Sequence, residues 1–197
     1  MAGPVLVTGE GSPLAAAICD ACSAAGLSAR AATTEQVLSI PALLKGIETV
    51  VFTDPVLLGG AEDWLDRSTR LCYDLLMAAA EAGARRCVCL SSLAVFDTLH
   101  PALAVQSFWA PAPTPQPAVL GPYLSEFIVR QFAFTGVLDV VVARVAAGSA
   151  RWQSDDAEVA AALAAILGAS PSPSGSWRLS YTIEHLATRL FPSPGEE

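Results

Sequence analysis

The chain has 197 residues, of which 53% are hydrophobic and 15% charged, enough apolar side chain for one globular unit with a substantial core. A net charge of -8 opposes nucleic acid, whose affinity comes mainly from Lys and Arg neutralising phosphates, and it opposes anionic membrane surfaces for the same reason. Mean hydropathy is +0.48, yet the longest apolar stretch, Phe132 to Ala147, is cut by Asp139 and Arg144 well short of the ~20 residues a spanning helix needs.

The predicted elements alternate strand and helix. Pro4 to Thr8 is a short β-branched run, Leu14 to Ala25 an Ala-rich helix stopped by Gly26, and Ser28 to Thr33 a weaker second strand. "TVVFT", Thr49 to Thr53, is continuously apolar, as a parallel strand covered on both faces should be; Trp64 to Ala82 has helical spacing and Gly83 ends it. "RRCVCLSS" and "LDVVVARV" repeat the buried-strand signature. Between them, Phe96 to Leu120 reads as a long surface loop, Pro-rich over 98–120, with prolines at 111, 113, 115 and 117 that favour an extended backbone. Gly121 to Phe134 and Asp155 to Leu167 are predicted helices, "WRLSY" a last strand and Ile183 to Leu190 a last helix. The order implies an α/β fold, a doubly wound parallel sheet of about six strands with helices on both faces, forming one domain over 1–197. Since Val5 already opens a strand, no leader is expected before it, and the expected compartment is the cytoplasm.

Five cysteines, Cys19, Cys22, Cys72, Cys87 and Cys89, fall on helix and strand interiors in an odd number, which fits reduced thiols in a core. Cys19 and Cys22 form a C-x-x-C, but no second pair has finger spacing and His100 and His185 lie far apart, so no metal site is expected.

Several segments carry a family resemblance. "VLVTGEGSPLAAAICDACSAAG", "ETVVFTDP", "AAAEAGARRCVCLSSLAVF", "PYLSEF" and "LDVVVARVAAGS" resemble, in order and approximate spacing, the extended short-chain dehydrogenase/reductases, the NAD-dependent epimerase/dehydratase group. The resemblance implies an NAD(P)-binding Rossmann-like fold, with a glycine turn for the dinucleotide and a Ser/Thr, Tyr and Lys for chemistry.

The turn keeps only part of that pattern. Against T-G-x-x-G-x-x-G, Thr8 and Gly9 match, but Ser12 and Ala15 stand where the second and third glycines belong. Ser12 places a Cβ where close approach is wanted, Pro13 removes an amide, and Glu10 brings negative charge to the phosphate path. Ser12 followed by Pro13 is, on the other hand, a favourable helix start. A shifted register using Gly9 and Gly11 leaves weak NAD(P) binding open beside no binding at all. The candidate cofactor residues are therefore Thr8, Gly9, Gly11 and Ser12. At the end of the second strand, Arg30 and Glu35 specify neither NAD nor NADP, and Asp54 adds a carboxylate after the third.

The catalytic positions the resemblance implies depart further. Tyr123 matches the family tyrosine, but Phe127 replaces the lysine four residues on that would favour its phenolate. Leu93 stands at the hydroxyl position, with Ser91 and Ser92 just before it, and Phe96 replaces a usual Tyr. The segment from strand to helix at 145–155 is short, so the substrate region, 151–197, reads as a reduced remnant of the family's. The expected function is a catalytically inactive, epimerase/dehydratase-like structural or protein-interaction subunit with a protein partner. The alternatives are an NAD(P)-binding sensor, or an oxidoreductase or epimerase with atypical residues. Phe108, Trp109 and the "WQSDD" region are candidate partner contacts, and Trp109 covering an open sheet edge is the competing reading.

Overall fold

The computed structural model describes residues 3–57, 62–100, 105, 109–146 and 155–169, with the backbone of Trp152–Gln153 and Arg189–Leu190. Strands β1 (Val5–Val7), β2 (Ala29–Ala31), β3 (Thr49–Phe52), β4 (Arg86–Ser92) and β5 (Asp139–Val145) form one sheet in the order 2-1-3-4-5. Every neighbouring pair is parallel. This is a doubly wound order, whose direction of winding reverses between β1 and β3. β1, β3 and β4 are buried along their whole length, as parallel strands covered on both faces are.

The described sheet has five strands, not six. The predicted strand 177–181 lies outside the described residues. Arg189–Leu190 falls in the predicted helix 183–190 but is a strand, β7, antiparallel to β6 (Trp152–Gln153). Its partner lies far away in sequence, and local periodicity does not report such pairing.

Helices α1 (Pro13–Ala24) and α7 (Asp156–Gly168) cover one face of the sheet through Leu14, Ile18, Cys22, Val159 and Leu163. On the other face a continuous helical run comprises α4 (Trp64–Asp66), a π-helical turn (Arg67–Leu71) and α5 (Cys72–Glu81). Beside it lies α6 (Pro117–Phe134). Cys72, Leu75, Leu76, Val129 and Phe132 pack there on the sheet. α6 begins four residues earlier than predicted because Pro117 occupies the first helical position, where a missing N–H costs nothing. Two short helices escaped prediction. α2 (Thr34–Ser39) opens with a capping box, in which Thr33 Oγ1 accepts from Gln36 N and Gln36 Oε1 accepts from Thr33 N. α3 (Asp54–Leu57) is a single turn directly after β3.

The predicted long loop is partly structured. Leu93–Phe96 is a 3-10 helix, Phe96 is fully buried, and Ala112 N donates to Val95 O at 3.0 Å. Trp109 packs with Leu99 and Tyr123 onto Leu93, Phe96 and Ala146, so it covers the end of the sheet beyond β4 and β5. Phe108 and the side chains of 152–153 lie outside the described residues.

All five thiols are free, and all but Cys19 are buried. Burial pushes Cys22 up to about 11 and Cys87 up to about 12, and raises Cys72 and Cys89 as well. A thiol-specific reagent is therefore expected to label Cys19 first, with Cys87 and Cys89 reacting only as fast as the protein opens. Rapid native-state labelling of Cys87 or Cys89, located by peptide mass mapping, would contradict their place inside β4.

Candidate functional site

The winding reversal creates a crevice at the carboxyl ends of β1, β2 and β3, where ligands of open α/β sheets bind. The turn after β1 forms its floor. Gly9 and Gly11 adopt φ of 81° and 89°, and Ser12 caps α1 by accepting from Ala15 N at 3.1 Å, with Pro13 next. Ser12 N donates to Gly9 O at 3.0 Å and Glu10 N to Ala32 O at 3.3 Å. Thus the amides of Glu10, Ser12 and Ala15 all have partners within the protein, and Pro13 has no amide to offer. A phosphate that used those three amides would have to displace their bonds.

Behind the turn lies a buried polar knot. Asp54, the first residue of α3, accepts from Thr8 Oγ1 at 2.8 Å through one carboxylate oxygen and from Thr34 Oγ1 at 2.9 Å through the other. Thr53 N donates to Thr8 Oγ1 at 2.9 Å, and Thr53 Oγ1 donates to Thr8 O at 2.8 Å. The ends of three strands are thereby tied to a single carboxylate. Burial pushes the Asp54 carboxyl up, while the two threonine hydrogen bonds and Arg67 pull it down without cancelling the rise.

The crevice has a volume of about 300 Å³, and Gly9, Ser12 and Leu57 line it with Glu10, Glu35, Asp54, Asp63 and Arg67. Four carboxylates thus face one guanidinium among the lining residues. Arg67 lies 2.7 Å from Glu35, 2.7 Å from Asp63 and 3.7 Å from Asp54. Its charge is already matched within the protein. Leu57 lies against the turn: a Cβ on Gly9 would sit 2.6 Å from Leu57 Cδ1 and 2.5 Å from Thr53 Oγ1. A dinucleotide diphosphate fits these residues poorly, because the walls supply negative charge and the amides of Glu10, Ser12 and Ala15 are already in use.

Of the predicted cofactor residues, the structure brings Gly9 and Ser12 to the crevice, puts Thr8 beneath it in the Asp54 knot, and leaves Gly11 exposed with open space around it. Glu35 does line the crevice, on α2 and not on β2, with Arg67 across from it. Arg67 was not foreseen. Asp63, four residues before it, is a local partner, but Glu35 and Asp54 come from separate segments.

The predicted catalytic residues belong to different arrangements. Ser91 Oγ donates to Glu126 Oε1, and Ser92 Oγ accepts from Ala94 N at 3.0 Å, capping the 3-10 helix. Tyr123 is half-buried on the Leu93–Phe96 cluster as an aromatic anchor, inside α6 and not at a helix start, because the helix begins at Pro117. One turn further, Phe127 is 58% exposed, so it does not pack inward. Arg130, a possible substitute for the missing lysine, stacks over the Phe134 ring at 5.1 Å. The strongest polar feature here is one the sequence reading missed. Arg144 on β5, fully buried, makes two 2.7 Å bonds to the two carboxylate oxygens of Glu126 and lies 4.7 Å over the Phe96 ring. The signal was present: a single Arg in "VVVARV" and a single Glu in "YLSEF" are opposite charges on two buried elements.

The fold is that of the extended short-chain dehydrogenase/reductases. The chain is similar, at 24% identity and a TM-score of 0.59, to a short-chain dehydrogenase/reductase superfamily protein from Agrobacterium tumefaciens with bound NAD, over 72% of this chain and 48% of that one. It is similar to UDP-N-acetylglucosamine 4-epimerase from Bacillus cereus at 16% identity and a TM-score of 0.60, over 72% and 53%. The triphenylmethane reductase of Citrobacter sp., complexed with NADP(H), is similar at 13% identity and a TM-score of 0.57, over 85% and 66%. The chain spans about half the length of the first two. No protein-family model and no curated protein sequence matches it.

Proposed function

We propose that this chain is a non-catalytic unit built on the short-chain dehydrogenase/reductase fold, acting in the cytoplasm by binding protein. The observation that carries the reading is the turn after β1, whose amides at Glu10, Ser12 and Ala15 are bonded internally beneath a rim of Glu10, Glu35 and Asp63. Four further observations support it. Phe127 occupies the lysine position, Leu93 the hydroxyl position, Ser91 is tied to Glu126 and Ser92 caps a helix. The net charge of -8 disfavours nucleic acid and anionic membranes as partners, and free thiols suit a reducing compartment. No described helix is long and apolar enough to cross a membrane.

A second reading, a sensor that holds NAD(P) without turnover, is supported by the crevice at the winding reversal and by the NAD and NADP(H) in the similar structures. An atypical oxidoreductase or epimerase stands third. Coupled assays with NAD(H), NADP(H) and nucleotide-sugar substrates separate these readings, because general acid-base catalysis contributes ~100-fold or more and its loss is easy to see. The expected result is no turnover for the native protein or for Phe127→Lys, which stays folded with its ammonium in solvent. Turnover by the native chain that disappears in Tyr123→Phe would overturn the proposal.

A further inference from the structure

The two edges of the sheet differ. At one, β5 is buried from Val140 to Val145; at the other, β2 leaves Ala29 and Ala31 half-buried and Arg30 exposed. The register decides which peptide groups of β2 face outward. Val5 N donates to Ser28 O at 2.8 Å and Ala32 N to Val7 O at 3.0 Å, with Leu6 paired to Arg30. In a parallel ladder alternate residues turn both N–H and C=O to the same neighbour, so Arg30 serves β1 while Ala29 and Ala31 present theirs to the open side. Among the described residues these four outward groups have no partner. Such a row is a template for another strand.

The side chains beside this edge differ between its two faces. Leu27 and Ala29 pack against the apolar layer that α1 covers. On the opposite face Arg30 donates to the carbonyl of Leu43, in a 3-10 turn (Pro41–Leu44) whose Ile40 neighbour is 50% exposed. That carbonyl is neutral. Among the described residues no carboxylate pairs with Arg30 or with Lys45, exposed at the end of the same turn, whereas Arg67, Arg70, Arg85, Arg86 and Arg144 each have one. In a chain of net charge -8, two exposed cations near one edge therefore stand unmatched.

We infer that β2 is a docking edge, where a partner polypeptide adds an extended acidic segment as a further strand, with a carboxylate beside Arg30 and apolar side chains beside Ala29. The outward peptide groups of Ala29 and Ala31 supply the main-chain bonds, and the two faces of the added strand supply selectivity. A carboxylate paired across from Arg30 strengthens the contact, whereas a lysine or arginine there meets like charge. At physiological salt the net charge of the chain is screened beyond about 8 Å, so Arg30 governs what is accepted at this position. The inference gives the protein-binding role proposed above a surface and a partner chemistry, and it rests on that reading.

Nuclear magnetic resonance of the full chain tests it, with a capped octapeptide of alternating valine and glutamate set against its valine–lysine counterpart. The glutamate peptide is expected to shift the Ala29 and Ala31 amide resonances saturably and to slow their hydrogen exchange, because those N–H groups gain acceptors. The lysine peptide should bind about tenfold more weakly. Arg30→Glu should invert that order with its melting profile retained, since the Arg30 side chain is exposed. Ala31→Pro removes an outward N–H but no bond to β1, and should abolish the shift at Ala29. Shifts absent from Ala29 and Ala31, or a glutamate peptide still preferred by Arg30→Glu, would overturn the inference without touching the absence of catalysis. NAD(P)H turnover would overturn the proposed function and leave the docking edge standing.

Discussion

Replacing Glu126 by leucine is expected to be among the most damaging single substitutions in the described structure. It would leave the Arg144 guanidinium fully buried without its two 2.7 Å partners and remove the acceptor of Ser91. Breaking a buried ion pair from one side costs about 3–5 kcal/mol, because the remaining charge stays desolvated. For a chain of this size that lowers the melting temperature by on the order of 10 °C. The cost belongs to the buried charge that has lost this carboxylate. Glu126→Leu/Arg144→Met should therefore recover much of the loss, since replacing both partners by apolar groups of similar volume is often close to neutral. Calorimetric melts of the single and double variants check this; a double variant no more stable than the single one would place the damage in packing.

Gly9→Ala should destabilise the protein by about 2 kcal/mol or more, whether or not any nucleotide is present. Its φ of 81° disfavours a side chain, and the new Cβ would fall 2.5 Å from Thr53 Oγ1 and 2.6 Å from Leu57 Cδ1. Thr53 cannot yield easily, because its hydroxyl and amide are both bonded to Thr8. Gly11→Ala supplies the contrast. Gly11 has a φ of 89° but meets nothing within 4 Å, so only the backbone term applies, about 1 kcal/mol. Urea unfolding of the two variants measures the difference. Equal losses would mean that Leu57 and Thr53 move aside, and that the crevice is more open than its contacts indicate. A larger substitution at Gly9 would lower any nucleotide affinity by disturbing the fold as well as the contact.

The layered fold was legible because its signals are local. An unbroken apolar run such as "TVVF" needs cover on both faces, and Ser12-Pro13 marks a helix start within two residues. Where several residues had to meet from different segments, the sequence was silent. Asp54 was visible as an unhelpful carboxylate near a phosphate path, but not as the anchor joining Thr8 and Thr34, since those hydroxyls come from other loops. Arg67 is hidden in the same way behind Glu35 and Asp54, although its pair with Asp63, four residues before it, is local. The missed α2 is a different case, because Thr33 and Gln36 have capping-box spacing and were readable. Phe127 was recognised as a lost lysine, but its exposure depends on which side of α6 faces the sheet, and the three consecutive apolar residues Phe127, Ile128 and Val129 leave that phase open.

The most direct test of a closed nucleotide crevice is the melting temperature of the native protein with and without millimolar NADH or NADPH, read beside a calorimetric titration. Stabilisation follows RT ln(1 + [L]/Kd), so a ligand whose Kd exceeds its concentration changes it by less than about 0.4 kcal/mol, a shift of roughly 1 °C for a chain of this length. The internally bonded turn and its acidic rim predict a shift no larger than that and no titratable heat. A rise of several degrees with either nucleotide, accompanied by a saturable isotherm, would contradict the closed crevice and establish the sensor reading in its place.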